Sequence, residues 1–386
     1  MSRIAGITAH PFNVSPRTNW FFVRVACDDG REAWGEASLT GWEPMLEAFV
    51  RLKGAELLGQ DVASAAHGLR VSALSAGGLV ANAVVSALHQ ALATLEAQAL
   101  GVSLGALLGQ RRHDAVALYA NINRATTERT PAGFCAVARR AMAVGITGFK
   151  AAPFEGVTPA NCTSAEGRAR IRHGIDCLAA LRDAVGPDAR LMADCHWRFD
   201  EATALDVLAA LRPLRLHWFE CPIAEVHANW AALRRIRAAA RDEGVLIAAA
   251  ETQVGREAFE TIFAEGLFDV VMPDVKFCGG PREMLAIAER CAAAGVEFSP
   301  HNPTGPLCTL ATLQVIAAAP QCRMLELQFG ESPLYDALMP VGHPPIRDGA
   351  LAMPEGPGLG ATRERRVLDA HPYRPVPFGN ETQLFN

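Results

Sequence analysis

The sequence predicts a (β/α) barrel preceded by an α+β capping unit. From residue 116 onward, eight short apolar runs alternate with helical segments at a spacing of roughly 25–30 residues, the rhythm of parallel strands joined by helical crossovers. Ahead of them, strand-like runs come first and helix-like runs second, the order of an α+β unit. Successive apolar runs also end in an ionisable side chain, and in a closed barrel those ends meet at one mouth. A doubly wound open sheet is the alternative, but its Gly-rich first turn is missing from VALYANINRAT.

The elements follow in order. RIAGITAHPFNV, NWFFVRVACDDG and REAWGEAS read as three strands. EPMLEAFVRLKGAELLG and the Ala-rich stretch from Leu79 to Leu100 carry apolar residues at helical spacing. The barrel runs are VALYANIN (116–123), ITGFKAAP (146–153), RLMADCH (190–196), LHWFECP (216–222), VLIAAAET (245–252), FDVVMPDV (268–275), VEFSPHNP (296–303) and RMLELQFG (323–330), with seven helical segments between them. FEGVTPANCTSAEG reads as a surface excursion. The Pro- and Gly-rich tail, with PIRDGALAMPEGPGLG, is expected to form an edge strand that returns to cover the amino-terminal unit. The expected division is 1–114 for the cap, 115–338 for the barrel and 339–386 for the returning segment.

Composition narrows the function. Of 386 residues, 50% are apolar and 20% charged, which argues for a folded enzyme-sized core. A net charge of −5 leaves no basic footprint for nucleic acid or anionic membrane. No uninterrupted apolar run of membrane-spanning length and no signal-peptide core stand out, and the 10 cysteines form no C-x-x-C pair. The expectation is a cytoplasmic enzyme acting on a small molecule. Only three lysines occur, Lys53, Lys150 and Lys276, so each deserves inspection for a role that arginine cannot fill.

The strand ends carry Lys150, Asp194 with His196, Glu220, Glu251, Asp274 with Lys276, His301 and Glu326. Asp194, Glu220 and Glu251 sit one per successive strand, and three carboxylates aimed into one space need a cation; oxygen ligands alone suit Mg²⁺. Cys195 and Cys221 adjoin two of them, and alternation turns both toward the core. Asp274 and His301 form a carboxylate–imidazole pair in which the carboxylate fixes the tautomer of a general base. His196 faces the same way as Asp194, either as an acid for a leaving group or as a partner to that carboxylate. Glu326 could bond a developing enolate oxygen if its carboxylate-rich surroundings keep it protonated. A metal-held carboxylate with a base and a separate acid makes dehydration of a hydroxy acid feasible.

With these motifs in hand, the chain resembles the enolase superfamily, specifically its mandelate racemase subgroup. The resemblance rests on ADCHW, WFECP, AAETQ, MPDVKFCGG, SPHNPTGP and MLELQ. It implies Asp194, Glu220 and Glu251 as metal ligands, Asp274–His301 as the dyad and Glu326 as the acid of the eighth strand. The closest pattern is that of galactonate dehydratase-like acid-sugar dehydratases, where Asp-x-His on the third strand supplies the acid, here His196. Racemases of the subgroup carry Lys-x-Lys on the second strand, whereas this chain has Lys150-Ala151-Ala152; Lys150 would hold the substrate carboxylate. The expected activity is therefore Mg²⁺-dependent dehydration of a sugar acid to a 2-keto acid, with racemisation or epimerisation as the alternative. Lys276 departs from the related pattern and could pair with Asp274, contact the substrate or act as a base. The cap is expected to supply specificity through Asn19, Trp20, Thr40, Gly41 and Trp42. The Gly279-Gly280 pair reads equally as a flexible helix start or an anion nest. Assembly into a homo-oligomer is the family tendency.

Overall fold

The computed structural model describes residues 2–72, 75 and 77–376; the end of the anticipated returning segment, 377–386, lies outside them. The chain opens with an antiparallel meander of β1 (Ile4–Ser15), β2 (Thr18–Cys27) and β3 (Glu32–Glu36). Strand alternation splits β2 between two cores. Phe21, Val23 and Val25 enter the cap's own core, while Trp20 and Phe22 join the core shared with the barrel.

Helices α1 (Glu43–Leu57), α2 (Val62–Gly68), α3 (Gly78–Ala99) and α4 (Leu104–Leu108) complete this unit. By length and composition α3 could cross a membrane, although its apolar residues do not form an unbroken run. It is buried almost throughout inside the fold, so its apolar character is that of a core helix.

The barrel strands are β4 (Ala115–Asn121), β5 (Gly148–Ala151), β6 (Arg190–Asp194), β7 (Trp218–Glu220), β8 (Leu246–Ala249), β9 (Val270–Val271), β10 (Glu297–Phe298) and β11 (Met324–Gln328). Each pairs in parallel with the next from β4 to β10, and β11 pairs with β4. All eight expected strands are present, with ladders shorter than the apolar runs. Side chains bridge the seam between β10 and β11: Ser299 Oγ donates to the Met324 carbonyl at 3.1 Å and Asn302 Nδ2 to that of Glu326 at 3.0 Å.

The crossovers are α5 (Pro131–Met142), α6 (Ala165–Val185), α7 (Glu201–Leu211), α8 (Trp230–Asp242), α9 (Gly255–Glu265), α10 (Pro281–Ala294) and α11 (Pro306–Ala318). Thr130, Ser164 and Asp200 start α5, α6 and α7 by accepting the backbone N–H of Gly133, Gly167 and Thr203. Helix α11 is apolar and buried on every side. At the start of α10, Gly279 and Gly280 adopt φ of 119° and 81°, and a Cβ on Gly280 would lie 2.7 Å from that of His89 on α3. Gly279 N–H donates to Ser86 Oγ on the same helix. The glycine pair thus lets the barrel approach the cap closely.

The tail contains α12 (Leu334–Leu338), β12 (Ala350–Ala352) and α13 (Arg365–Ala370). Its edge strand departs from expectation. β12 pairs antiparallel with β4 of the barrel, not with the cap. Beyond it the tail reaches the amino-terminal unit, where Gly358 exchanges backbone hydrogen bonds with Val102 and Leu104, and Arg363 lies over the Trp34 ring. The barrel strand was the available partner because β5 pairs only with Tyr119–Asn121, which leaves Ala115–Ala117 of β4 open on that side.

Candidate active site

Period-two alternation builds the site. One interior layer of the barrel holds Tyr119, Met192, Trp218, Ala248, Val270 and Met324. Tyr119 and Trp218 meet edge to face at 5.2 Å. Two residues farther along four of these strands stand Asn121, Asp194, Glu220 and Glu326, and Lys150 stands two beyond Gly148. Of these, Asn121, Lys150 and Asp194 line a cavity of about 600 Å³ at the carboxyl ends of the strands, while Glu220 and Glu326 are buried against Lys150. On β8 the same count reaches Ala250, whose φ of 79° turns the chain and delivers Glu251 instead.

The Lys150 ammonium is buried among the acids. Its Nζ lies 2.5 Å from Glu220 Oε1, 2.7 Å from Glu326 Oε1 and 3.9 Å from Asp194 Oδ2. Burial disfavours its charge, but these three carboxylates outweigh burial and hold the amine protonated. Lys150 is thus committed to the carboxylate cluster, where the sequence suggested a hand for the substrate carboxylate. Burial, with the charges of Asp194 and Glu326, pushes Glu220 up to about 8 despite Lys150. Burial and then Asp194 drive Glu251 well upward too. Asp194 moves the other way, to about 2: burial opposes its charge, but His196 and Lys150 favour it more strongly.

Glu326 corrects an expectation. Its oxygens accept from Lys150, from Asn121 Nδ2 at 2.8 Å and from the Asn302 N–H at 3.0 Å. Burial alone would raise it, yet Lys150 and His301 bring it below the ordinary value. It is a carboxylate, because every group facing it donates; it has no proton to offer an enolate.

Asp274 Oδ2 accepts from His301 Nδ1 at 2.8 Å, and the same oxygen receives Lys276 Nζ. Asp274 Oδ1 accepts the Lys276 N–H at 2.9 Å. This arrangement places the imidazole proton on Nδ1 and leaves Nε2, 3.6 Å from Glu251 Oε2, as the basic atom. Burial lowers the His301 value, with Asp274 opposing, so the ring stays neutral and able to accept a proton. Lys276 also lies 4.2 Å from the Phe277 ring centroid.

His196 Nε2 sits 2.8 Å from Asp194 Oδ2, and its N–H donates to Asp194 Oδ1 at 3.0 Å. Both backbone and ring hold the carboxylate, while part of the ring stays open to the cavity. Cys195 and Cys221 are buried as expected. A φ of 45° at Cys221, however, brings its Sγ 3.4 Å from Glu225 Oε1 and 3.9 Å from Glu251 Oε2, so it leans toward the acids and not fully away.

Among the cap residues, Trp20 and Trp42 line the cavity, and the buried Trp20 indole N–H has no protein partner among the described residues. Asn19 borders the cavity but its polar atoms are occupied: Nδ2 donates to Glu43 and to the Arg374 carbonyl, and Oδ1 accepts from Asn13. It ties the cap to the tail, a role invisible without the distant Arg374. Residues missed at the sequence level include Asn121 and Gln328, which the strand-end rule would have found if extended to amides. Arg124 and Arg129 also line the cavity. They lie on a loop with no periodic signal.

The donor set fits a hard divalent cation. Asp194, Glu220 and Glu251 are buried oxygen donors on neighbouring strand ends, and two are held in a state that a cation would relieve. Among the described residues no three such groups are already arranged as ligands. Glu220 shows why: its oxygens are turned to Lys150 and to Trp218 Nε1, at 2.7 Å.

Residues 134–367 match the family described as enolase C-terminal domain-like. The chain belongs to the enolase superfamily. D-gluconate dehydratase of Thermoproteus tenax is 30% identical over 366 residues, covering 93% of this chain and 71% of that protein. D-galactonate dehydratase of Variovorax paradoxus is 29% identical over 371 residues, covering 94% and 93%. The crystal structure of a mandelate racemase/muconate lactonizing enzyme from Jannaschia sp. superposes with a TM-score of 0.83 at 24% identity, covering 96% of this chain and 98% of the other. A member of the superfamily from Salmonella Typhimurium gives 0.82 at 20%, covering 96% and 99%. The superfamily's two-part architecture, an antiparallel cap over a parallel barrel, is the one seen here.

Proposed function

We propose that this enolase-superfamily chain dehydrates a sugar acid, or a related α-hydroxy acid, to the 2-keto acid. The observation that carries the reading is the His301–Asp274 pair, which leaves one basic nitrogen facing a cavity floored by carboxylates. Asp194, Glu220 and Glu251 would hold Mg²⁺, which when bound supplies Lewis-acid stabilisation for charge developing on the substrate carboxylate. His301 Nε2 takes the proton from the carbon next to that carboxylate, and Asp274 stabilises the imidazolium. The β-carbon–oxygen bond then breaks; His196 gives the departing hydroxyl its proton and water leaves. The enol product tautomerises to the 2-keto acid. Lys150 and the ionised Glu326 balance the charge of the floor.

Epimerisation needs a second base across the substrate. Lys150 is boxed by carboxylates, and Lys276 hangs from the same oxygen as His301, so neither supports that reading. The test is incubation with Mg²⁺ and a panel of sugar acids in D₂O, assayed for 2-keto acids with semicarbazide and for deuterium by NMR. A 2-keto acid from at least one member supports dehydration. Deuterium exchange with inverted configuration and no keto acid replaces it with epimerisation.

A further inference from the structure

We propose that Glu225, in the loop after β7, is a positioning residue that locks the three turns carrying Asp194, Glu220 and Glu251; the inference rests on reading those three as the Mg²⁺ ligands. Beside each ligand the backbone passes through the left-handed region on a residue other than glycine. The positions are His196 (φ 46°) and Trp197 (φ 55°) after Asp194, Cys221 (φ 45°) after Glu220 and Ala250 (φ 79°) before Glu251. Such conformations are costly for residues with a Cβ, and they persist where surrounding contacts over-determine them.

One carboxylate touches all three turns. Glu225 Oε1 accepts from Trp197 Nε1 at 2.8 Å and lies 3.4 Å from Cys221 Sγ. Its Oε2 accepts from the Ala250 N–H at 3.1 Å and lies 3.5 Å from Gln253 Nε2. The Ala250 contact is the telling one. It fixes the N–H of the residue whose twist replaces an inward alanine by Glu251. Without an acceptor there, the Ala250 N–H would be a buried donor at a strained position, and the turn could relax toward regular strand geometry. In regular strand geometry, Ala250 would face the mouth and Glu251 would turn outward. Nothing in a short stretch of sequence marks Glu225, since its four partners are spread over three loops.

The test measures Mg²⁺ binding by titration calorimetry on the purified protein, without substrate. Wild type is measured first: failure to bind Mg²⁺ overturns the ligand assignment itself, whatever Glu225 does. Given binding, Glu225→Gln places an amide against one of the donors and should weaken the Mg²⁺ dissociation constant about 10- to 100-fold, the range found when groups orienting metal ligands are removed. Leu233→Ala, a core truncation on α8, provides a variant destabilised without touching the turns, and its Mg²⁺ affinity should stay within twofold of wild type. Trp197→Phe keeps the ring but removes one donor, and should weaken binding about threefold, within the net worth of one hydrogen bond. If Glu225→Gln does not fold, Trp197→Phe decides. Unchanged Mg²⁺ affinity in the folded Glu225 variant, or in Trp197→Phe when that variant decides, overturns the proposal. So does an equal loss in Leu233→Ala.

Discussion

Glu36 of the cap accepts the backbone N–H of Gly305, on the loop that carries His301, at 2.8 Å. The other oxygen of Glu36 takes the Cys308 N–H at 3.0 Å, and Ser38 Oγ completes the set. A Cβ on Gly305 would stand 2.7 Å from Glu36 Oε1, so this close approach needs glycine. The cap is thereby fastened to the start of α11, just beyond the proposed base. Glu36→Gln places an amide against one buried N–H; urea unfolding should show a loss of about 1–3 kcal/mol. Loosening of the His301 loop should lower kcat/KM in the same variant.

The division of labour between two histidines is separable. His301→Asn should reduce α-proton exchange in D₂O by about 10²–10⁴-fold, the contribution of a positioned general base. His196→Asn should keep exchange and stop formation of the keto acid. Loss of both signals together in His196→Asn would show that its bond to Asp194, and not proton donation, is what matters.

Lys276 helps to keep the base neutral. His301 must be neutral to accept a proton, so kcat/KM rises with pH through its titration. Burial holds the His301 value down and the neighbouring Lys276 charge lowers it further. Removing that charge in Lys276→Met raises the His301 value, so the acid limb of the profile should move to higher pH by roughly one pH unit. A limb that stays in place, or moves to lower pH, contradicts the assignment.

Mg²⁺ should stabilise the fold through the buried acids. At about a hundred times its dissociation constant it should add about 2.7 kcal/mol, read as a rise in Tm by differential scanning calorimetry. Glu251→Gln should abolish most of that rise. The apo form of this variant should not be much less stable than wild-type apoprotein, because burial already disfavours the Glu251 charge.

The barrel was legible because its signals are local and repeated: apolar runs of strand length, helices between them, and polar residues at a two-residue offset above an interior layer. Asp194, Glu220 and Glu326 could be picked out by that offset, and Asp274 and His301 as ionisable groups near the ends of their apolar runs. Charge state could not. From the sequence Glu326 is compatible with either protonation state, and only the donors of Asn121, Lys150 and Asn302, drawn from three separate parts of the chain, make it a carboxylate.

By itself, then, the sequence determined which strand residues point inward, since alternation along a strand is a property of the strand's own backbone; Glu251 is the exception, delivered by the turn at Ala250. The tertiary structure decided what each of them does there. It set Lys150 among acids instead of before a substrate, tied Asn19 to Arg374, moved β12 onto β4, and gathered the turns at Trp197, Cys221 and Ala250 around Glu225. Those outcomes depend on contacts between residues far apart in the chain, and burial makes each such contact strong enough to override local preference.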